Sequence, residues 1–232
     1  MTTKTFAIIG TGVTGTSALI ALARQLRKHK EKNDTLPPIK IITVEKRHTN
    51  GPGYPYDPVG AHGAHLLNHP AAEMALKPVD ERGKDKQADF EVAGWHSHDF
   101  VLWLKAHKSD ILDKHPDSVK ATQVDADPSV WTPRLDGHYS RGLFGLYAQD
   151  RFREAAAELR QLGVTVIQYT DTEVVAAQRQ GHYLTLTLKD LQTGRLSKVK
   201  ADKVLIATGR WTRQISSELK TTRWFEKPYP AS

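Results

Sequence analysis

Thr5-Phe6-Ala7-Ile8-Ile9-Gly10-Thr11-Gly12-Val13-Thr14-Gly15 is the stretch from which the rest of the chain reads. A short apolar run, Phe6 to Ile9, meets three glycines at G-x-G-x-x-G spacing, and the run Thr16 to Leu26 behind it is helix-like. Strand, glycine turn and helix, in that order, are what a dinucleotide fingerprint requires. Gly10 permits the tight turn, Gly12 lets a pyrophosphate approach the backbone, and Gly15 lets the helix pack closely on the sheet. The free amides at the helix start, with the helix dipole behind them, suit phosphate charge.

A glycine turn of this kind also occurs in ordinary α/β units. A second feature argues against that reading here. The apolar run Ile39 to Val44 ends in Glu45, and a carboxylate at the tip of the second strand can accept both ribose hydroxyls of an adenosine. The gap from Gly15 to Glu45 exceeds the usual figure of about 20 residues. The charged stretch Lys28 to Pro38, with Pro37-Pro38, reads as a surface insert that accounts for the excess. A 2′-phosphate would meet Glu45 with like charge, so FAD or NAD is expected rather than NADP. Lys46 and Arg47 follow directly and soften that expectation.

The chain has 232 residues, 39% of them hydrophobic, enough for one large domain or one domain with an insertion. No run of 18 apolar residues is present, so no membrane span is expected. The first strand begins almost at Met1, which leaves no room for a signal peptide. There are no cysteines, which removes disulfides, thiolate chemistry and cysteine-based metal sites. The simplest location is the cytoplasm, although a cysteine-free chain suits any compartment. The net charge of +7 invites a nucleic-acid partner. Its Lys and Arg residues are spread along the chain and interleaved with acids, with no recognition helix or RNA-binding sheet motif. A solvated basic surface is the reading adopted, with no nucleic-acid and no membrane partner.

Beyond Glu45, residues 46–95 are rich in Gly, Pro, His and Asn. Gly51-Pro52-Gly53-Tyr54-Pro55-Tyr56-Asp57-Pro58 suits neither a regular helix nor a central strand and predicts a shaped loop. Asp99 is placed as the cap of a helix through Phe100 to Ala106, and residues 108–130 read as an exposed polar excursion. A long helix is predicted from about Arg141 to Leu162, stopped by Gly163. Val164 to Ile167 follows as a third core strand. Residues 172–177, 182–188 and 196–200 alternate and predict an antiparallel meander. Lys203 to Ala207 is a buried strand ending in Ala207-Thr208-Gly209. Right-handed crossovers place the third strand beside the second and the last beside the first.

Together these pieces resemble the two-dinucleotide-binding flavoproteins. The loops narrow the resemblance. Gly51 to Tyr56, Leu66-Leu67-Asn68-His69-Pro70-Ala71, Met74, Asp99-Phe100 with Trp103-Leu104, and Arg141 with Phe144-Gly145 and Tyr147 are similar to the FAD/NAD(P)-binding family related to flavin-dependent N-hydroxylating monooxygenases. The likeness covers residues 5–209, with a weaker echo at Trp224-Phe225 and Pro228-Tyr229-Pro230. It implies an α/β, Rossmann-like FAD/NAD(P)-binding domain over residues 1–210, with a helical and loop insertion at about 46–140, the meander at about 172–200, and a C-terminal tail at 211–232. By the same resemblance Gly10, Gly12, Gly15 and Glu45 would bind the ADP part of FAD, with Thr11, Val13 and Lys46 counted beside them. Val166 would lie along the adenine through its backbone, Asn68 would approach the flavin, and Thr208 and Gly209 would close over the pyrophosphate. The helix starting at Arg141 would frame the site. NAD is the less favoured cofactor.

Relatives of this kind continue past the A-T-G strand with a second glycine-rich unit for NAD(P)H, and this sequence does not carry one. The expectation is therefore the front half of a flavin-dependent oxidoreductase, monooxygenase-like, whose NAD(P)H site comes from a partner or from a missing half. The alternative is a non-catalytic or degenerate module that binds an adenine dinucleotide. The substrate is not named by these residues. His62, His65 and His69 would share a face only on a helix, which Gly60, Gly63 and Pro70 disfavour, so no metal site is expected. His96 and His98 read as surface residues or cap neighbours. Asp57 and Glu73 are not assigned acid–base roles, and no Ser-His-Asp arrangement or Walker motif is visible.

Overall fold

The structure is a computed structural model and describes residues 2–33, 35–84, 96–122 and 130–209. Strands β1 (Lys4–Ile9), β2 (Ile39–Val44), β3 (Thr165–Tyr169) and β7 (Lys203–Ile206) form one parallel sheet in the order β3-β2-β1-β7. The registers run Ile9↔Val44, Val44↔Tyr169 and Ile9↔Ile206, so all four strands end at the same edge. This is the predicted order, and it follows from right-handed crossovers carrying helices to one face. The central strands are apolar on both sides because both faces are covered.

On one face lie α1 (Val13–Asn33) and α5 (Arg141–Gln161), packed on each other and on Ile8 and Ile41. On the other lies the antiparallel sheet β4-β5-β6: β4 (Thr172–Gln180), β5 (Tyr183–Asp190) and β6 (Leu196–Ala201). Its Leu186, Leu188 and Ala201 close over Ala7, Ile42 and Val44. The α5 helix starts where Ser140 Oγ accepts from Leu143 N at 3.2 Å and stops at Gly163, whose φ of +88° suits only glycine without strain.

Four sequence expectations change. The last strand is not buried: β7 is an edge strand whose Leu205 and Ile206 are 41% and 68% exposed. The stretch after Lys28 is not a loop: α1 runs on to Asn33, its Lys-, Glu- and Arg-rich residues being good helix formers with Lys30 and Lys32 at the favourable negative end. Asp99 is not a cap. Helix α2 (Asp99–Ala106) takes His98 as its N-cap residue, and Asp99 turns inward to an ion pair. Residues 108–122 are not all exposed, since α3 (Lys108–Lys114) and α4 (Pro116–Lys120) bury Ile111 and Val119 against the core. Around α2 an aromatic cluster forms from Phe100, Trp103, Tyr139, Phe144 and Tyr147, each burial contributing about 1.5–3 kcal/mol. Among the described residues no helix is long and apolar enough to cross a membrane. The tail at 211–232, with Trp224-Phe225 and Pro228-Tyr229-Pro230, lies outside the described residues.

Candidate functional site

The site is built at the common end of the four parallel strands. Gly10 turns the chain out of β1 with φ +86°, its N–H donating to Val44 O at 2.8 Å. A Cβ there would lie 2.5 Å from Ala207 O, so the last strand's Ala-Thr-Gly end can run beside the turn only if residue 10 is glycine. A Cβ on Gly15 would collide with Gly10 O, and this is how the first turn of α1 sits against the strand exit. Thr16 N donates to Gly12 O, so the helix begins at the turn itself and its first amides have no partner within the helix. Gly12 is approached closely by the main chain itself. Its Cα faces Gly53, where a Cβ would stand 3.2 Å from Gly53 Cα, so the Gly51–Gly53 loop crosses directly over the glycine turn.

Thr11, counted with the glycines in the sequence reading, is the hub of the turn. It is fully buried, and its O accepts from Gly51 N at 2.9 Å and from Thr16 Oγ1 at 3.0 Å. Its N–H donates to Glu45 Oε2 at 2.7 Å, and its hydroxyl lies 3.0 Å from the same oxygen. Glu45 is only 6% exposed, and Arg47 N donates to its Oε1 at 3.0 Å. The main chain holds Glu45 from the far side. Its N–H donates to Tyr169 O, and its O accepts from Thr172 N, which laces the exit of β2 to the β3–β4 turn. The carboxylate is therefore buried at the tip of β2, engaged by the glycine turn and by the loop that follows it.

The cations beside it are committed. Lys46 Nζ pairs with Glu173 Oε1 at 2.9 Å, and Arg47 pairs with Asp57 while its guanidinium sits 5.3 Å over the Tyr54 ring. Asn50 and Gln168 complete the polar edge: Thr11 Oγ1 is 2.8 Å from Asn50 Oδ1, and Asn50 Nδ2 donates to Gln168 Oε1 at 3.5 Å. Sequence reasoning missed Thr11's hub position, Asn50 and Gln168. The only signal for them was position, a hydroxyl inside the glycine turn and an amide at the end of a strand.

From the glycine turn the loop of residues 51–58 runs back along α5 and packs on it. Gly51 packs on Gln149, Tyr56 O fits against Gly145, and Gly142 faces Pro58. At the start of the helix Arg141 donates through Nε to Leu66 O at 3.2 Å and through a terminal nitrogen to Asn68 Oδ1 at 3.4 Å. Eight residues of helix separate Arg141 from Gln149, about 12 Å at 1.5 Å per residue. Thr208 and Gly209 stand exposed just past β7, beside Gly10. Val166 is not gathered with the others. It pairs with Ile41 in mid-strand, three residues or about 10 Å back from Tyr169, with its O accepting from Arg160 at 3.4 Å.

His62 and His65 stack loosely with ring centroids 5.9 Å apart, and His69 Nδ1 bonds Glu73 Oε2 at 2.9 Å. Among the described residues no group of three His, Asp or Glu side chains gathers as a metal site.

Residues 7–211 match the family described as FAD-NAD(P)-binding. A search of curated proteins finds no match. Among solved structures the chain is similar to L-lysine 6-monooxygenase from Pseudomonas syringae, at 13% identity over 95% of this chain and 38% of that one, with a TM-score of 0.40. It is similar also to DfoA bound to FAD, a cadaverine monooxygenase from Erwinia amylovora, at 12% identity over 95% and 38%, TM-score 0.39. Ornithine hydroxylase PvdA from Pseudomonas aeruginosa aligns at 17% identity over 94% and 39%, TM-score 0.35. The chain spans less than two-fifths of the length of each of these three. The cofactor class expected from the sequence, FAD with NAD as the lesser choice, is that of the matched family. The match runs over most of the 232 residues, and this chain belongs to the FAD-NAD(P)-binding family.

Proposed function

We propose that this chain is the FAD-binding portion of a flavin-dependent oxidoreductase of monooxygenase type. One observation carries the reading: the Glu45 carboxylate is held by Thr11 N–H inside the glycine turn, at the shared edge of the parallel strands. Gly10, Thr11, Gly12, Val13 and Gly15 present the turn and the helix start to a pyrophosphate. Glu45 takes the ribose, and Asn68 lies toward the flavin end. Thr208 and Gly209 flank the phosphates. A flavin bound there would carry the electrons, and these residues would supply position and electrostatics.

Glu45 also selects against a 2′-phosphate, and the two cations that would offset it are paired with Glu173 and Asp57. The sequence has one G-x-G-x-x-G, so NAD(P)H is expected to be held elsewhere, by a partner or by further sequence. Hydride transfer needs the nicotinamide about 3–3.5 Å from its acceptor, which demands that second site. The chain alone is therefore expected to bind FAD and to show little NADPH- or NADH-driven flavin reduction. Visible absorption of the purified protein, FAD titration and stopped-flow reduction test this. Absent flavin binding overturns the reading, and bleaching at about 1–1000 per second by the chain alone overturns the division of labour.

A second reading has its own observation. Glu45 already accepts from two amides, and Gly53 crosses Gly12, which leaves less room than an open cradle. A non-catalytic adenine-dinucleotide module would show this closure, and it would bind ADP as tightly as FAD.

A further inference from the structure

The polar groups at the strand edge do not balance one for one. Thr11 Oγ1 has two acceptors in reach, Glu45 Oε2 at 3.0 Å and Asn50 Oδ1 at 2.8 Å, and a hydroxyl has one proton to give. Asn50 is itself oriented, since its Nδ2 donates to Gln168 Oε1 and so turns Oδ1 toward Thr11. An ionised Glu45 offers about four acceptor positions. Thr11 N–H and Arg47 N–H occupy two of them. With the Thr11 hydroxyl also on Glu45 a single position remains. With the hydroxyl turned to Asn50 two remain, and a ribose diol needs two.

We infer that Asn50 is a positioning residue for adenosine binding. It accepts the Thr11 hydroxyl when a ribose diol arrives, which frees Glu45 to accept both ribose hydroxyls. The inference rests on the ribose role of Glu45 proposed above. Without ligand the Thr11 hydroxyl donates to the carboxylate, the stronger acceptor. Asn50 Oδ1, on a half-buried side chain, is then left to water. With ligand the hydroxyl hydrogen rotates and no heavy atom moves. The exchange moves one hydrogen bond within the protein from Glu45 to Asn50 and raises the acceptor positions open to the ligand from one to two, at a site where Thr11 is closed to solvent.

The test is calorimetric titration of the chain with ADP and with 2′,3′-dideoxy-ADP, which lacks the diol. Asn50→Ala should weaken ADP about three- to tenfold and leave dideoxy-ADP within twofold of the parent. In protein already carrying Thr11→Val, which has no hydroxyl to relocate, adding Asn50→Ala should change ADP affinity by less than twofold. Equal losses for both ligands would reduce Asn50 to a structural role and overturn the inference, as would an unchanged ADP affinity. The comparison of the two ligands suffices if Thr11→Val does not fold. Glu45→Gln separates this from the underlying reading. If it weakens ADP and Asn50→Ala does not, the ribose site stands and the relay falls. If Glu45→Gln leaves ADP binding unchanged, both fall.

Discussion

Two regions meet on helix α5 and are held together by opposite means. At the strand edge, contact is made where side chains are missing: Gly12 against Gly53, Gly15 against Gly10, Gly51 against Gln149. The one buried carboxylate there, Glu45, is gripped mainly by amides and keeps acceptor capacity in reserve. Around α2 the binding agent is buried charge. Arg151 meets Asp99 through two nitrogens at 2.8 and 2.9 Å, and the Tyr147 hydroxyl donates to Asp99 at 2.5 Å while accepting from Leu76 N at 2.6 Å. Arg151 also pairs with Glu154, which pairs with Lys77. Burial alone, the largest influence, would lower the Arg151 pKa; Asp99, Tyr147 and Glu154 together outweigh it and raise it. Glu154, which burial would push up, is held below the usual carboxylate range by Lys77 and Arg151. The charged network ties α2 and the loop at residues 76–77 to α5. It is a clamp, and the strand edge is a receptacle.

The comparison breaks most visibly at Asp99. Asp99→Ala leaves Arg151 buried with only Glu154 to face, and the loss expected is about 3–5 kcal/mol. Urea unfolding measures it. The protein that remains folded should bind ADP as the parent does, because Asp99 touches nothing at the strand edge. A loss below about 1 kcal/mol would mean that the pair is replaceable and that the clamp is the aromatic cluster instead.

Tyr147→Phe is the next step down. It removes the partner of Leu76 N and one donor to Asp99, at a cost of about 1–3 kcal/mol near neutral pH. Its pH dependence has a definite sign. Burial first, and the Asp99 charge second, raise the Tyr147 pKa well above the ordinary 10.0. The native state therefore keeps a proton that the unfolded chain gives up. The stabilisation is complete below about pH 10 and is lost as pH rises from there through the folded pKa. Unfolding midpoints from pH 8 to pH 11 should fall less steeply in Tyr147→Phe than in the parent. Tyr139, also raised by burial, leaves a residual slope in both.

The two regions also differed in how far the sequence revealed them. The parallel sheet and its order were legible because the signals are local: four short apolar runs, a glycine turn and a chirality rule. Glu45 was legible by its place at the end of a strand. The clamp was not, because Asp99 and Arg151 are 52 residues apart and each looks solvated by composition. One cue was present. Arg151 sits among Ala148, Phe152 and Ala155 on the apolar stripe of α5, and a cation on a buried face requires a partner. The same kind of local reading misjudged residues 28–33, where charge was taken for loop although Lys, Glu and Arg are good helix formers. It also missed α3 and α4, whose single anchors, Ile111 and Val119, are too sparse to give a period.

The smallest effect sharpens the comparison from the strand-edge side. Thr43 lies in β2 two residues before Glu45, is fully buried, and its Oγ1 has no hydrogen-bond partner among the described residues. A desolvated hydroxyl without a partner costs about 1–3 kcal/mol by protein measurements. Valine has nearly the same shape and equal β-branching, so Thr43→Val removes that cost while keeping the strand's rotamer preference. Against this, the new methyl group must fit where an oxygen was, in a core without spare volume. The net expectation is a gain of about 1 kcal/mol, or about 2–4 °C in melting temperature for a chain of this size. ADP affinity should not change, because the hydroxyl bonds to nothing that reaches Glu45. A thermal melt with and without ADP reads both quantities in one experiment. A more stable variant that keeps its ADP-induced shift would show that stability and binding are separable at the strand edge. A variant that loses the shift would show that the Thr43 hydroxyl serves the site after all.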